Sequence, residues 1–198
     1  MNALVMCGGR GTRLDTETEK PLSEVAGTPM VDRVLDGLAA AASVDDIFAA
    51  VSSNTPETAT YLTDEPRVQV VETPGEGYVA DLGTALDVAG PVAVTVAADL
   101  PLLAGQPVDR AIAAATGGGG ESEAVDSVAV QVPARLKQQL GVSADEGATD
   151  DDWLPTGLNV VGTASERTRR TWDARLAVNV NYERDRAVAE ALAGVMER

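Results

Sequence analysis

Histidine is missing from this chain. Its absence excludes Ser–His and Cys–His catalytic dyads and every histidine-ligated metal site. Cysteine occurs once, at Cys7, so no internal disulfide can form. Aromatic residues make up only 3% of the chain, and Ala, Val and Leu must fill the core that a 44% hydrophobic composition provides. No apolar run approaches the roughly 20 residues that a membrane-spanning helix needs. The first residues carry no basic region ahead of the apolar ones, so no secretory leader is expected and the expected location is the cytoplasm. Lysine is confined to Lys20 and Lys137, and every other basic side chain is Arg. The groups left for chemistry are carboxylates, amides, Arg, two Lys, the backbone and a hard metal ion.

Positive charge is also scarce. Fifteen basic residues face 31 acidic ones, for a formal net charge of −16. A general nucleic-acid binder needs the opposite sign, so nucleic acid is not an expected partner. The acidic residues are spread along the chain, and lysine is nearly lost. Both features fit a protein from a high-salt cytoplasm, where counterions screen self-repulsion.

A length of 198 residues suits one domain, and no internal boundary or repeat is evident across residues 1–198. Short Val/Ala/Ile runs alternate with amphipathic stretches. Strands are expected at residues 2–7, 47–51, 68–71, 92–97, 127–132, 158–161 and 176–180. Helices are expected at residues 29–42, 55–62, 78–88, 107–115 and 183–196, the first with Thr28 as N-cap and Pro29 in the first turn. Residues 117–123 and 141–152 read as acidic, glycine-containing loops. Such alternation implies an α/β fold with a mainly parallel sheet covered by helices on both faces.

The most informative segment follows the first strand: Gly8-Gly9-Arg10-Gly11-Thr12-Arg13-Leu14. Clustered glycines let backbone N–H groups converge on phosphates without side-chain clashes. No Gly-Lys-Ser/Thr follows, so this is not a Walker A loop. Leu14 stands where a dinucleotide fingerprint has its third glycine. Arg13 and the Lys20-Pro21-Leu22 step add cations suited to phosphate oxygens. The apolar strand at 92–97 runs into Asp99, and ligands of doubly wound sheets gather at the carboxyl ends of strands. Asp99 is therefore a candidate for Mg²⁺, which takes one or two carboxylates plus phosphate oxygens. Asn54 follows another strand end and is a candidate for contact with a base. Tyr78 is a candidate either for stacking on a ligand or for the core. Cys7 reads as a small buried residue packed beneath the loop.

From Leu4 to Met30 the chain resembles the MobA-like nucleotidyltransferases: a strand, Gly-Gly-x-Gly-Thr-Arg, then Lys-Pro-Leu and Gly-x-Pro-Met. Four later segments look most like the archaeal adenosylcobinamide-phosphate guanylyltransferases within that group. They are Ser53-Asn54-Thr55-Pro56, Thr73-Pro74-Gly75-Glu76-Gly77-Tyr78, Leu154-Pro155-Thr156-Gly157-Leu158-Asn159-Val160-Val161 and Asn179-Val180-Asn181. The resemblance implies a Rossmann-like three-layer α/β fold with a mainly parallel, mixed sheet. It implies transfer of GMP from GTP to a phosphorylated corrinoid, with Mg²⁺ as cofactor. It assigns catalysis to Arg13, Lys20 and Asp99. It assigns nucleotide binding to Gly8, Gly9, Arg10, Gly11, Thr12, Arg13, Lys20, Asn54, Gly75 and Asp99. The acceptor falls to Tyr78, Gly157 and Asn159, and the metal to Asp99 and Asn181. Capping of the last helix is the alternative role for Asn179 and Asn181. A molybdenum-cofactor guanylyltransferase, a sugar-1-phosphate nucleotidyltransferase and a catalytically silent nucleotide-binding module stay open, as does a homodimer.

Overall fold

The computed structural model describes residues 1–9, 11–14, 16, 18–117, 124–144, 149 and 151–196. The first apolar run forms β1 (Asn2–Met6). After the glycine loop and a 3₁₀ turn at Lys20–Leu22, a hairpin of β2 (Glu24–Val25) and β3 (Thr28–Pro29) leads into α1 (Met30–Ala39). Its two turn residues, Ala26 and Gly27, both have positive φ, as a two-residue type I′ connection requires. Next come β4 (Ile47–Ser52), α2 (Pro56–Thr63), β5 (Val68–Thr73), α3 (Tyr78–Ala89), β6 (Ala93–Ala97) and α4 (Gly105–Ala115). The remainder holds β7 (Ser127–Pro133), α5 (Ala134–Leu140), β8 (Trp153–Val161), β9 (Glu166–Arg170), a 3₁₀ turn at Ala174–Leu176 and α6 (Glu183–Met196).

Seven strands form one sheet in the order β5-β4-β1-β6-β8-β7-β9. Among the described residues β8 alone runs against the others, so the sheet is mixed and mainly parallel, as expected. Side chains alternate across it. Ala3 and Val5 of β1 join Val34, Leu35 and Leu38 of α1 and Val108 and Ile112 of α4 in one core layer. Leu4, between them, faces Ala85 and Ala89 of α3 in another. The result is three layers around a sheet that is apolar on both faces. β1 is the switch point, with β4 on one side and β6 on the other. Met6 of β1 lies beside Ala97 of β6, so both strands deliver their following loops to the same crevice.

Several local expectations change. Residues 176–180 do not form a strand. Leu176 closes a 3₁₀ turn, while Val178 and Val180 pack against Val25, Met30, Ala189 and Ala193. Their apolar alternation is satisfied by burial rather than by a ladder, which periodicity cannot distinguish. α1 begins at Met30 and receives no side-chain cap, because Thr28 is paired with Val25 in the hairpin. β8 starts at Trp153, five residues before the expected 158, with a register irregularity against β7. β9 had no strand signal, since its sequence is Glu-Arg-Thr-Arg-Arg and it lies largely exposed. α5 is short and ends at Gly141 in the left-handed conformation. Of the two expected loops, residues 118–123, 145–148 and 150 lie outside the described residues.

Candidate active site

The loop after β1 rises from the switch point. Cys7 N–H still donates to Ala50 O, holding the strand in the sheet up to the first glycine. Ser52 Oγ donates to Gly8 O at 3.0 Å, and Asn54 Nδ2 reaches the same oxygen at 3.5 Å. The loop returns at Leu14, which is buried against the hairpin and α6. Gly11 has φ +59°, and a Cβ there would stand 2.6 Å from Lys20 Cβ. The loop and Lys20 can lie this close only because that position lacks a side chain. Gly9 is open, and Thr12 and Arg13 are exposed. Arg10 lies outside the described residues.

Three segments bring their polar ends together beside this loop. Lys20 Nζ donates to Asp99 Oδ2 at 2.6 Å and to Asn181 Oδ1 at 2.9 Å. Asn179 Nδ2 donates to Asp99 Oδ1 at 3.0 Å and to Thr156 O at 2.9 Å. Backbone pairing sets this up: Val180 N–H donates to Asp99 O, so residues 179 and 181 flank the aspartate. The Lys20 and Asp99 side chains are only 17% and 18% exposed, and attraction between them is less screened than at the surface. The Asn181 side-chain oxygen is turned to Lys20. Asp185, fully buried in the first turn of α6, reaches back to accept from Asn181 N and Tyr182 N at 3.0 and 2.9 Å, as the returning half of a capping box does. Asp185 also accepts from Ser143 N and Ser143 Oγ, tying the segment after α5 to the same corner.

A cavity of about 600 Å³ opens on one side of this centre. Gly8, Gly9, Asn54, Gly75 and Tyr78 line it. Asn54 Nδ2 reaches Gly75 O at 3.4 Å, and buried Asp81 in the first turn of α3 accepts from Gly75 N at 2.7 Å. A second cavity, of about 580 Å³, opens on the other side. Arg13, Asp99, Lys137, Gly157, Asn179 and Asn181 are among its walls. Gly157 has φ +85°, and a Cβ there would lie 3.0 Å from Ala97 Cβ and 3.4 Å from Asn179 Nδ2. A side chain at this point would be strained by the positive φ and would press on Ala97, next to the amide that holds Asp99.

The structure thus gathers Gly8, Gly9, Gly11, Lys20, Asn54, Gly75, Asp99 and Asn181 around one centre, with Arg13 on its rim. It separates the three residues expected at the acceptor. Gly157 is in the second cavity, whereas Tyr78 lies in the first, beside Asn54 and Gly75. Asn159 is in neither. Antiparallel β8 carries it away from the carboxyl ends of the other strands, to a position between Thr95 and Ala129 in mid-sheet. Four further residues support the site without having been singled out as candidates: Glu19, whose carboxylate accepts from the first N–H groups of α2 beside Lys20, and Asp81, Lys137 and Asp185. Lys137 had one sequence signal, its rarity. The two lysines of the chain both lie at this centre.

Among the described residues no cluster of three or more acidic or thiol side chains exists that could hold a metal unaided. Asp99 and Asn181 nevertheless fit Mg²⁺, because their oxygens already converge on one cation, the Lys20 ammonium, and a triphosphate would supply the remaining ligands. Cys7 takes no part. It is 1% exposed, and burial pushes its thiol up to about 12.

The chain is 28% identical to an adenosylcobinamide-phosphate guanylyltransferase from Methanocaldococcus jannaschii, over 97% of both chains. It is 31% identical to a 2-C-methyl-D-erythritol 4-phosphate cytidylyltransferase from Nocardia farcinica, over 77% of this chain and 78% of that one. A Bacillus anthracis structure described as a glucose-1-phosphate thymidylyltransferase, solved with sucrose, superposes with a TM-score of 0.71. It covers 98% of this chain and 95% of the other at 14% identity, a likeness of fold. Residues 3–146 match the model of the MobA-like NTP transferase domain. Since that match takes in the glycine loop, Lys20 and Asp99 and spans most of the chain, the protein belongs to the MobA-like NTP transferase family of nucleotidyltransferases.

Proposed function

We propose that this protein transfers GMP from GTP to adenosylcobinamide phosphate, giving adenosylcobinamide-GDP and pyrophosphate. The observation that carries the reading is the cluster of Lys20, Asp99, Asn179 and Asn181, of which Asp99, Asn179 and Asn181 wall a cavity of about 580 Å³, while Gly8 and Gly9 of the glycine loop wall another of about 600 Å³ and Ala97 lines both. A nucleotidyl transfer needs one cavity for the nucleotide and one for the acceptor, with the α-phosphorus between them. The cavity beside the glycine loop takes the nucleotide. The cavity walled by Gly157 and Asn179 takes the acceptor. Guanine and the corrinoid rest on the likeness to the Methanocaldococcus jannaschii relative over nearly the whole chain.

The reaction asks little proton chemistry of the protein. A phosphate monoester has a second pKa of about 6 and is largely dianionic at neutral pH. Its oxygen forms the new bond to the α-phosphorus, and the bond to the α,β-bridging oxygen breaks, with the electron pair leaving on pyrophosphate. No general base is required, in keeping with a chain that has no histidine. The work left is electrostatic and positional. Loop N–H groups, Arg13 and Lys20 hold the triphosphate. Asp99 and Asn181 would hold Mg²⁺, which when bound offsets phosphate charge and stabilises the leaving pyrophosphate.

The test is a competition assay with mass spectrometry of the products. The protein and Mg²⁺ are given equal GTP, ATP, UTP and CTP. Separate reactions supply adenosylcobinamide phosphate, molybdopterin, a hexose 1-phosphate or 2-C-methyl-D-erythritol 4-phosphate. The expected product is adenosylcobinamide-GDP. Transfer to another acceptor with none to the corrinoid overturns the substrate assignment. Tight GTP binding without transfer to any acceptor overturns the catalytic one.

A further inference from the structure

We propose that Asp81 reads the base of the nucleotide, its carboxylate accepting from the N1–H and N2–H groups of guanine. This deepens the reading above, on which it rests for the nucleotide occupying the cavity beside the glycine loop. Asp81 lies in the first turn of α3 and is 5% exposed, yet it forms part of that cavity's wall. Its Oδ1 accepts from Gly75 N at 2.7 Å. Among the described residues that is the one hydrogen bond the carboxylate makes. Oδ2 stands 3.4 Å from the point that a Cβ on Gly8 would occupy, at the root of the glycine loop. It is left for a donor that enters the cavity.

Charge, donor pattern and the neighbouring backbone together select a base. A carboxylate repels a triphosphate, so Asp81 serves an uncharged part of the nucleotide. A carboxylate also accepts only, and each of its oxygens has two acceptor sites, so Oδ1 can take a second donor beside Gly75 N–H. Guanine alone of the four common bases offers two adjacent donors, N1–H and N2–H, which match the two oxygens. Adenine sets an acceptor at N1, and uracil flanks its single N–H with carbonyls. The helix supplies the complement. The first intrahelical bond of α3 runs from Asp81 N–H to Gly77 O, which leaves Tyr78 N–H, at the cavity wall, without a partner in the helix. Guanine O6, next to N1, is an acceptor for such a donor, whereas adenine carries an amino group at that position. A ribose diol also donates, but it has no acceptor of this kind beside the donors.

Calorimetry with Mg²⁺ and no acceptor tests this with GTP, ATP, 2′-deoxy-GTP, inosine triphosphate and xanthosine triphosphate. The wild type should bind GTP roughly tenfold more tightly than inosine triphosphate, which lacks the N2 amino group. Equal affinities for those two overturn the assignment in the wild-type protein itself. Asp81→Asn keeps an oxygen for Gly75 N–H and sets an amide nitrogen in the place of Oδ2. Its affinity for GTP should fall about tenfold or more, and xanthosine triphosphate, which carries an oxygen at C2, should become the better ligand. Glu76→Gln alters the other carboxylate of this wall and should leave the wild-type preference in place. A parallel loss of every nucleotide in Asp81→Asn overturns the assignment, because Asp81 would then be only a tie for Gly75. A changed ratio of GTP to 2′-deoxy-GTP, with the ratio of GTP to xanthosine triphosphate unmoved, overturns it in favour of the ribose. A wild type that prefers ATP to GTP overturns both this inference and the guanine of the reading above. A wild type that prefers GTP, with an unchanged preference in Asp81→Asn, overturns this inference alone.

Discussion

Removing the carboxylate of Glu19 should destabilise α2 and loosen Lys20 together. α2 receives no side-chain cap from its own N-cap residue, Thr55. The cap comes from 38 residues away. Glu19 Oε1 accepts from Glu57 N at 2.8 Å, and Glu19 Oε2 accepts from Thr58 N at 2.8 Å and from Thr58 Oγ1 at 2.6 Å. Glu57 and Thr58 are the second and third residues of the helix, whose N–H groups have no partner within it. Losing an N-cap costs about 1 kcal/mol. Losing an anion at the positive end of the helix dipole costs roughly 0.3–1 kcal/mol more. Thr58 is fully buried, and its hydroxyl would lose its acceptor at a cost of about 1 kcal/mol. Glu19→Ala should therefore lose about 2–3 kcal/mol, which in a chain of this size lowers Tm by roughly 5–10 °C. Glu19→Gln keeps an acceptor oxygen and should lose about half as much. Because Lys20 is the next residue, kcat/KM for GTP should fall severalfold even where the variant is fully folded. Urea unfolding monitored by circular dichroism, with steady-state kinetics well below the new Tm, tests both parts. A Glu19→Ala variant within about 0.5 kcal/mol of wild type, the scatter of ordinary surface changes, would refute the capping argument. Unchanged kinetics in a destabilised variant would refute the link to Lys20.

Arg13→Ala and Lys20→Ala should each cost about 2–4 kcal/mol of transition-state stabilisation, and near wild-type kcat/KM in both folded variants would dismiss the phosphate assignment. Asp99→Ala should fold yet lose metal-dependent turnover, and an unaltered Mg²⁺ dependence would count against its role. With its thiol pushed up to about 12 by burial, native Cys7 should resist iodoacetamide at pH 8 and react only on unfolding. The sign for stability follows from the same shift. The thiol ionises more easily in the unfolded chain, so its contribution is present below the ordinary value of 9.0 and is lost as pH rises toward 12. A net charge of −16 should make Tm rise from low to molar KCl, and a flat or falling melting curve series would dismiss the high-salt reading.

Reading outward from residues, local chemistry and period carried a long way. Strands buried on both faces declared themselves as continuous apolar runs, as at 47–52 and 93–97. Glycine density after β1 marked the loop that packs against Lys20, and a carboxylate at the end of β6 marked Asp99, because both depend on composition over a few neighbours. Elements whose partners are distant gave no such signal. β9 exists because β7 offers it a parallel edge, and nothing in Glu-Arg-Thr-Arg-Arg requires that. Residues 176–180 carry a strand pattern, but Val178 and Val180 find a helix and a hairpin to bury against instead.

What the sequence by itself determined is the class of chemistry: no histidine, one cysteine, two lysines, a glycine loop with cations, and an aspartate at a strand end. Tertiary structure decided who meets whom. It put Lys20 on Asp99 and Asn181 across 79 and 161 residues of chain, and made Glu19 a helix cap. It tied Asp185 to the backbone ahead of α6, placed Tyr78 in the cavity beside the glycine loop and Asn159 in mid-sheet, and brought Lys137 to Asn179. The physical reason is range. Propensity and period act over one or two turns of chain, whereas a hydrogen bond or an ion pair depends on which strand ends the sheet order places side by side.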